Sequence, residues 1–192
     1  DYTKMAILGG TLDDAAGECF DKVARVLGMP YPGGATLDKA AALGDEGRYQ
    51  LPHSKPGNNP YDMSFSGLKT ATLNLIHHAQ QVGEELDVNS LCAAFSAAVS
   101  QTLVPRVIQA LKETGYRKLA VAGGVAANSR IRRDLQTAAQ KLGAELYMPP
   151  LSLCGDNAAM IGAQGYYEYL AGHVADMGLN AYATKTILGE SL

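Results

Sequence analysis

LAVAGGVAANSR, Leu119 to Arg130, is the stretch that decides the fold class. An apolar run ends in two glycines, and a polar, basic segment follows. RKLAVAGG reads as a buried strand over Lys118–Ala122, and NSRIRRDLQTAAQKLG as a helix from Asn128 to Leu142. AELYMPP is a second strand, and GDNAAMIGAQGYYEYLAG a final helix from Asp156 to Ala171. Strand, helix, strand, helix at this spacing predicts parallel strands joined by right-handed crossovers. The fold class is therefore α/β, helix-rich, with a short parallel sheet.

Upstream of that unit the pattern is helical. TLDDAAGECFDKVARVLG predicts a helix starting near Thr11 or Asp13, with Thr11 and Asp14 spaced like a capping box. Ala16, Phe20, Val23, Ala24 and Leu27 keep one apolar face, and Gly28 ends it. MPYPGG, Met29 to Gly34, is a tight loop, and TLDKAAALG a short helix ending at Gly44. Residues 45–63 are a long surface excursion rich in Pro, Gly and Asn, a length more often functional than idle. FSGLKTATLNLIHHAQQ is a helix with Ser66 as its expected N-cap. The longest helix runs roughly from Asn89 to Thr114, with Pro105 inside it expected to kink or split it and Gly115 closing it. The division expected is a helical part over 1–115, the strand–helix unit over 116–172 and an irregular tail over 173–192.

Composition narrows the class. Apolar residues are 47% of 192, enough to bury a real core, and the net charge is −3 with 18% charged residues. That balance does not point to nucleic acid by charge alone. Cys19, Cys92 and Cys154 are far apart, odd in number and form no CxxC, so free thiols in a reducing, cytoplasmic setting are expected. No signal peptide and no apolar run of about 18 residues is read, so no membrane partner is expected.

Several residues carry possible chemistry. Gly123 and Gly124 end a strand and lead to a helix N-terminus, where bare backbone and a positive partial charge suit a flat ring or a phosphate. Asn128 either caps the helix or bonds a ligand hydroxyl. Asp156 opens the last helix, as an N-cap or as one carboxylate of a metal site that needs partners. Asp21, ahead of PYPGG, suits a ribose diol, while Glu18 and Lys22 make an i, i+4 surface pair. His53, His77, His78 and His173 have no ligand spacing and read as non-ligands. Arg130, Arg132 and Arg133, with Arg117 and Lys118 nearby, are a solvated face or a phosphate contact.

Taken in order, TLDDAAGECFDKVARVLG-MPYPGG, SFSGLKTA, VAGGVAANSR and CGDNAAMIG resemble the TsaD family of tRNA threonylcarbamoyltransferases, once labelled glycoproteases. The resemblance runs from about residue 9 to about 170. It implies an actin-like ATPase fold of ribonuclease-H-like lobes, seen here mainly as the C-terminal lobe. It implies transfer of threonylcarbamoyl from threonylcarbamoyl-AMP to the N6 amine of adenosine beside the anticodon, in tRNAs reading codons that start with A. Partners of the TsaB and TsaE type are implied with tRNA, as is an ATP-type nucleotide.

Roles follow residue by residue. Asp21, Gly34 and Asn128 match the positions that hold the nucleoside, with Gly123 and Gly124 beside them. Asp156 matches a ligand of a divalent metal, usually iron. The family's HxxxH histidines and an upstream Ser-Gly-Gly segment have no counterpart, and the sequence opens at Asp1 without Met. The expectation is a C-terminal portion, a little over half of a family member, lacking the N-terminal lobe and unable to turn over alone. Two other classes compete. A metalloprotease, as in the old label, needs a nucleophile or an HExxH helix, and neither is present. A non-catalytic actin-like docking module has no need to keep residues 21, 34, 128 and 156.

Overall fold

The computed structural model describes residues 2–55 and 57–181. The chain divides into two compact units, Gly9–Gly155 and Asp1–Leu8 with Asp156–Leu192.

In the larger unit, α1 (Ala16–Val26) buries Cys19, Phe20, Val23 and Ala24, the stripe expected from their 3–4 spacing. α2 (Gly34–Ala41) buries Leu37, and α3 (Ser66–Val82) buries Leu68, Thr72, Ile76 and Ala79. α4 (Val88–Thr114) is the central helix: every residue from Ser90 to Ser100 is buried. Its Ala and Ser side chains let α2 and α5 approach closely, and Phe95 meets Phe20 edge to face with centroids 5.1 Å apart. Pro105 does not split α4, which runs unbroken for 27 residues. By length and composition α4 is apolar enough to cross a bilayer, but 67% of its most apolar stretch is buried inside the protein. Burial by neighbouring helices makes it the core helix.

The parallel unit follows. β1 (Lys118–Ala120) pairs in parallel with β2 (Glu145–Tyr147), Leu119 opposite Leu146, and α5 (Ser129–Leu142) is the crossover. The strands are shorter and less buried than expected. Leu119 and Leu146 face the core with Ile131 and Leu135, while Lys118, Ala120, Glu145 and Tyr147 are exposed. An apolar run therefore marked a strand covered on one side only.

Helix starts also differ from expectation. α1 begins at Ala16, not near Thr11, because the Thr11 hydroxyl donates to the Asp14 carbonyl instead of forming a capping box. Ser66 is the first residue of α3, not its cap: the cap position is Phe65, and Asp13 reaches across to accept from the N–H groups of Phe65 (2.8 Å) and Ser66 (3.2 Å). α2 takes in Gly34 and ends at Ala41. Segment 45–63 is irregular where described, pinned by Arg106 of α4. This buried guanidinium donates to the carbonyls of Asp62 (2.6 Å), Ser54 (3.2 Å) and Thr102.

In the smaller unit α6 (Ala158–Leu170) has no buried residue, and Tyr167 stacks on Tyr2 at 3.8 Å. Residues 171–181 are irregular, and 182–192 lie outside the described residues.

Candidate functional site

The site begins with two adjacent turns of α1. Asp21 is half-buried, and its Oδ1 accepts the Gly33 N–H at 2.8 Å. Gly33 is buried because α2 starts hard against α1: a Cβ there would lie 2.2 Å from the Ala24 Cβ. Gly34 is different, since a Cβ on it would meet nothing within 4 Å. Its backbone opens the first turn of α2, where no side chain caps the N–H groups. One carboxylate oxygen is thus spent on holding the loop, and the Asp21 Oδ2 has no partner among the described residues.

The β1 exit supplies the second wall. Gly123 has φ +91°, a conformation that costs other residues strain, and space around both Gly123 and Gly124 is open. A 3-10 turn over Gly124–Ala127 follows, its Val125 Cγ2 3.4 Å from where a Cβ on Gly17 of α1 would sit. That contact sets the glycine turn beside α1. Asn128 is 8% exposed and caps α5, its Oδ1 accepting from the Ile131 N–H at 3.0 Å. The capping reading holds, and it uses only the oxygen. The Nδ2 donor has no partner among the described residues, so Asn128 can do both jobs the sequence left open.

α2 and α5 meet through Asp38, whose carboxylate accepts from the Ser129 N–H (3.1 and 3.2 Å) and hydroxyl (2.9 Å). A cleft of about 370 Å³ borders this joint, lined in part by Asp38, Ser96, Ser129 and Arg130. Sequence reasoning missed Asp38. Its signal was an acidic residue one turn inside a glycine-started helix, but its partner lies 91 residues on.

Comparison with known proteins shows the family. A family profile described as TsaD: tRNA N6-adenosine threonylcarbamoyltransferase matches residues 1–163. The chain belongs to the TsaD family. Relatives named tRNA N6-adenosine threonylcarbamoyltransferase include one from Moorella thermoacetica, 49% identical over 181 residues, covering 94% of this chain and 53% of the relative. One from Geobacillus thermodenitrificans is 48% identical over 182 residues, with the same coverages. The chain spans about half the length of the curated relatives it matches. Among solved structures, HypF of T. kodakarensis aligns with a TM-score of 0.60 at 17% identity, over 84% of this chain and 21% of that one. A full-length HypF in phosphate- and nucleotide-bound form aligns at 0.58 and 22%, over 81% and 21%. At these identities the likeness is one of fold.

In this TsaD-family chain the other motifs brace the site. Asp13 of TLDDA binds SFSGLKTA through Ser64 Oγ (2.5 Å) and the start of α3. Burial raises its carboxyl pKa, but hydrogen bonds from Ser64, Ser66 and Phe65 outweigh that and bring it down to about 2. Asp14 sits between Lys22 (2.8 Å) and Lys69, whose hydrogen bonds hold its pKa below the usual range. Glu18 pairs with Lys22 at 2.7 Å, as expected.

The arginine cluster is neither a simple solvated face nor an open phosphate patch. Arg130 is engaged by Glu46 and Asp134 (2.6 Å). Arg132 turns inward, donating to the carbonyls of Ala126 (2.8 Å) and Pro149 (3.2 Å), which ties the 3-10 turn to the chain after β2. Arg133 is largely exposed, as are Arg117 and Lys118.

Asp156 is not the N-cap of α6. Asn157 holds that place, its side chain accepting from the Met160 N–H at 3.0 Å. Asp156 is exposed one residue ahead. No group of three or more His, Cys, Asp or Glu among the described residues could hold a metal ion. Asp156 therefore does not fit a metal by itself. The three cysteines are buried and free, and burial pushes the thiols of Cys19 and Cys92 up to about 12 and about 11.

Proposed function

We propose that this chain carries the nucleoside-holding part of a tRNA N6-adenosine threonylcarbamoyltransferase with an actin-like fold. What supports the reading, within a TsaD-family chain, is that Asp21 holds the Gly33 N–H just before Gly34, Gly17 of α1 faces Val125 of the turn after β1, and Asp38 of α2 binds Ser129 next to Asn128. The Asp21 Oδ2 accepts a ribose hydroxyl, and the Asn128 Nδ2 donates to the other. Gly34, Gly123 and Gly124 let the ring and phosphate approach bare backbone.

The substrate is threonylcarbamoyl-AMP, and these residues bind and orient its AMP half. The N6 amine of a tRNA adenosine attacks the carbamoyl carbon and loses a proton. The bond from that carbon to the phosphate oxygen breaks, and AMP leaves. Holding both reactants in register is the chain's main contribution. Asp156 serves as one ligand of a divalent metal, iron in this reading, completed by ligands outside these 192 residues, so no step is assigned to it. Proteins of the TsaB and TsaE type complete the assembly.

The test is transfer of label from threonylcarbamoyl-AMP to tRNA by the full-length protein carrying this chain. Asp21→Asn and Asn128→Ala each lower kcat/KM at least tenfold. Unchanged kcat/KM in both variants overturns the assignment. The 192 residues alone give no turnover, and measurable transfer by them contradicts that part.

A further inference from the structure

Arg132 lies one turn into α5, its backbone N–H bonded to the Asn128 carbonyl at 3.0 Å. Its half-buried side chain reaches back past the helix start. Nη1 donates to the Ala126 carbonyl at 2.8 Å, and Nη2 to the Pro149 carbonyl at 3.2 Å. Nη1 also lies 3.8 Å from the Sγ of buried Cys154. The 3-10 turn closes on itself through two bonds, from the Ala126 N–H to the Gly123 carbonyl (2.9 Å) and from the Asn128 N–H to the Val125 carbonyl (3.0 Å). The Ala126 carbonyl takes no part in that internal pattern, and Arg132 supplies its donor. Ala126 is 3% exposed, so leaving that carbonyl unpaired is costly. β1 and β2 are parallel neighbours, so the turn after β1 and the chain after β2 leave the sheet at the same end. One planar fork therefore fastens both exits.

We infer that Arg132 is a positioning residue for the nucleoside seat, and that through it the chain over 149–154 supports the glycine turn from behind. This rests on the nucleoside reading above. The turn carries Gly123 and Gly124 at one end and leads into Asn128 at the other. When the fork is lost, the turn keeps its two internal bonds but loses its anchor on the neighbouring strand exit. The bare backbone and the Asn128 amide then sample several placements, and a rigid nucleoside meets fewer of them in register. Arg132 touches no ligand in this account and acts through the Ala126 carbonyl.

The experiment measures the dissociation constants of AMP and of adenosine for the full-length protein carrying this chain, well below its unfolding midpoint. Arg132→Met weakens both ligands by the same factor, about five- to tenfold. Arg132→Lys recovers part of the loss and stays about two- to threefold weak, because an ammonium does not reproduce the planar fork that serves both carbonyls. It decides the matter if Arg132→Met fails to fold, and parent-like affinities would then count against the inference. Pro149→Gly slackens the far anchor and weakens AMP about twofold, but adds nothing in an Arg132→Met background. In an Asp21→Asn background the Arg132→Met factor multiplies unchanged. Arg132→Met affinities within twofold of the parent, with a lowered midpoint, make Arg132 a brace of the fold alone. That result overturns the inference and leaves the nucleoside reading standing. A loss confined to AMP assigns the guanidinium to the phosphate directly and overturns it as well. A parent protein that binds neither ligand overturns both readings.

Discussion

The two glycines of PYPGG make opposite predictions. At Gly33 a methyl group would sit 2.2 Å from the Ala24 Cβ, while carbon atoms in contact need about 3.5–4.0 Å. The backbone is ordinary there, with φ −76°, so the conflict is purely one of space. Gly33→Ala must push α2 away from α1 by more than 1 Å or distort both. The shift also stretches the 2.8 Å bond from Gly33 N–H to Asp21. Overpacking of this kind costs about 1–3 kcal/mol. In a chain of this size that lowers the unfolding midpoint by roughly 2–12 °C. At Gly34 the same methyl meets nothing within 4 Å, so Gly34→Ala gains about 0.4–1 kcal/mol by restricting the unfolded chain and raises the midpoint by roughly 1–4 °C. It does place a methyl on the face read as the nucleoside seat, and AMP affinity falls. Thermal unfolding of the two variants side by side, with AMP titration, checks both halves. Equal midpoints for Gly33→Ala and Gly34→Ala would refute the packing argument.

Other outcomes follow from the same geometry. Phe95→Ala removes a fully buried ring from the meeting of α1 and α4 and lowers stability by about 3–5 kcal/mol in urea unfolding. Asp13, with its pKa lowered to about 2, stabilises the fold fully above about pH 4, and this is lost as pH falls towards 2. The midpoint of the parent should therefore drop more steeply between pH 4 and 2 than that of Asp13→Asn, and parallel curves would count against the Asp13 clamp. Arg106→Met removes the donors to Ser54 and Asp62 and costs about 1–3 kcal/mol. Limited proteolysis should then cut within 50–63 faster than in the parent.

Much of the fold was legible because its signals are local. The β1–α5–β2 order followed from one apolar run, a helical face and a second apolar run, and the α1 stripe from Phe20, Val23 and Ala24. The capping role of Asn128 was also local, its partner being three residues away. What failed depended on distant partners. Ser66 was expected to cap α3, but a carboxylate 53 residues away does that work. Arg132 was grouped with surface arginines, yet two carbonyls on separate segments draw it inward. Asp38 gave no sign of a partner on α5. Asp156 and Asn157 were indistinguishable as caps by type, and a one-residue register decided between them. The apolar run at β1 showed a strand but not how many of its faces are covered.

The central claim is that Asp21, Gly34 and Asn128 form one seat for a nucleoside. A crystal structure of the full-length protein carrying this chain, with an adenosine nucleotide bound, tests it most directly. The account predicts both ribose hydroxyls within 3.2 Å of the Asp21 Oδ2 and the Asn128 Nδ2, a separation typical of such bonds, with the ring or phosphate against Gly34 and Gly123-Gly124. A nucleotide bound elsewhere, with Asp21 and Asn128 touching no part of it, contradicts it.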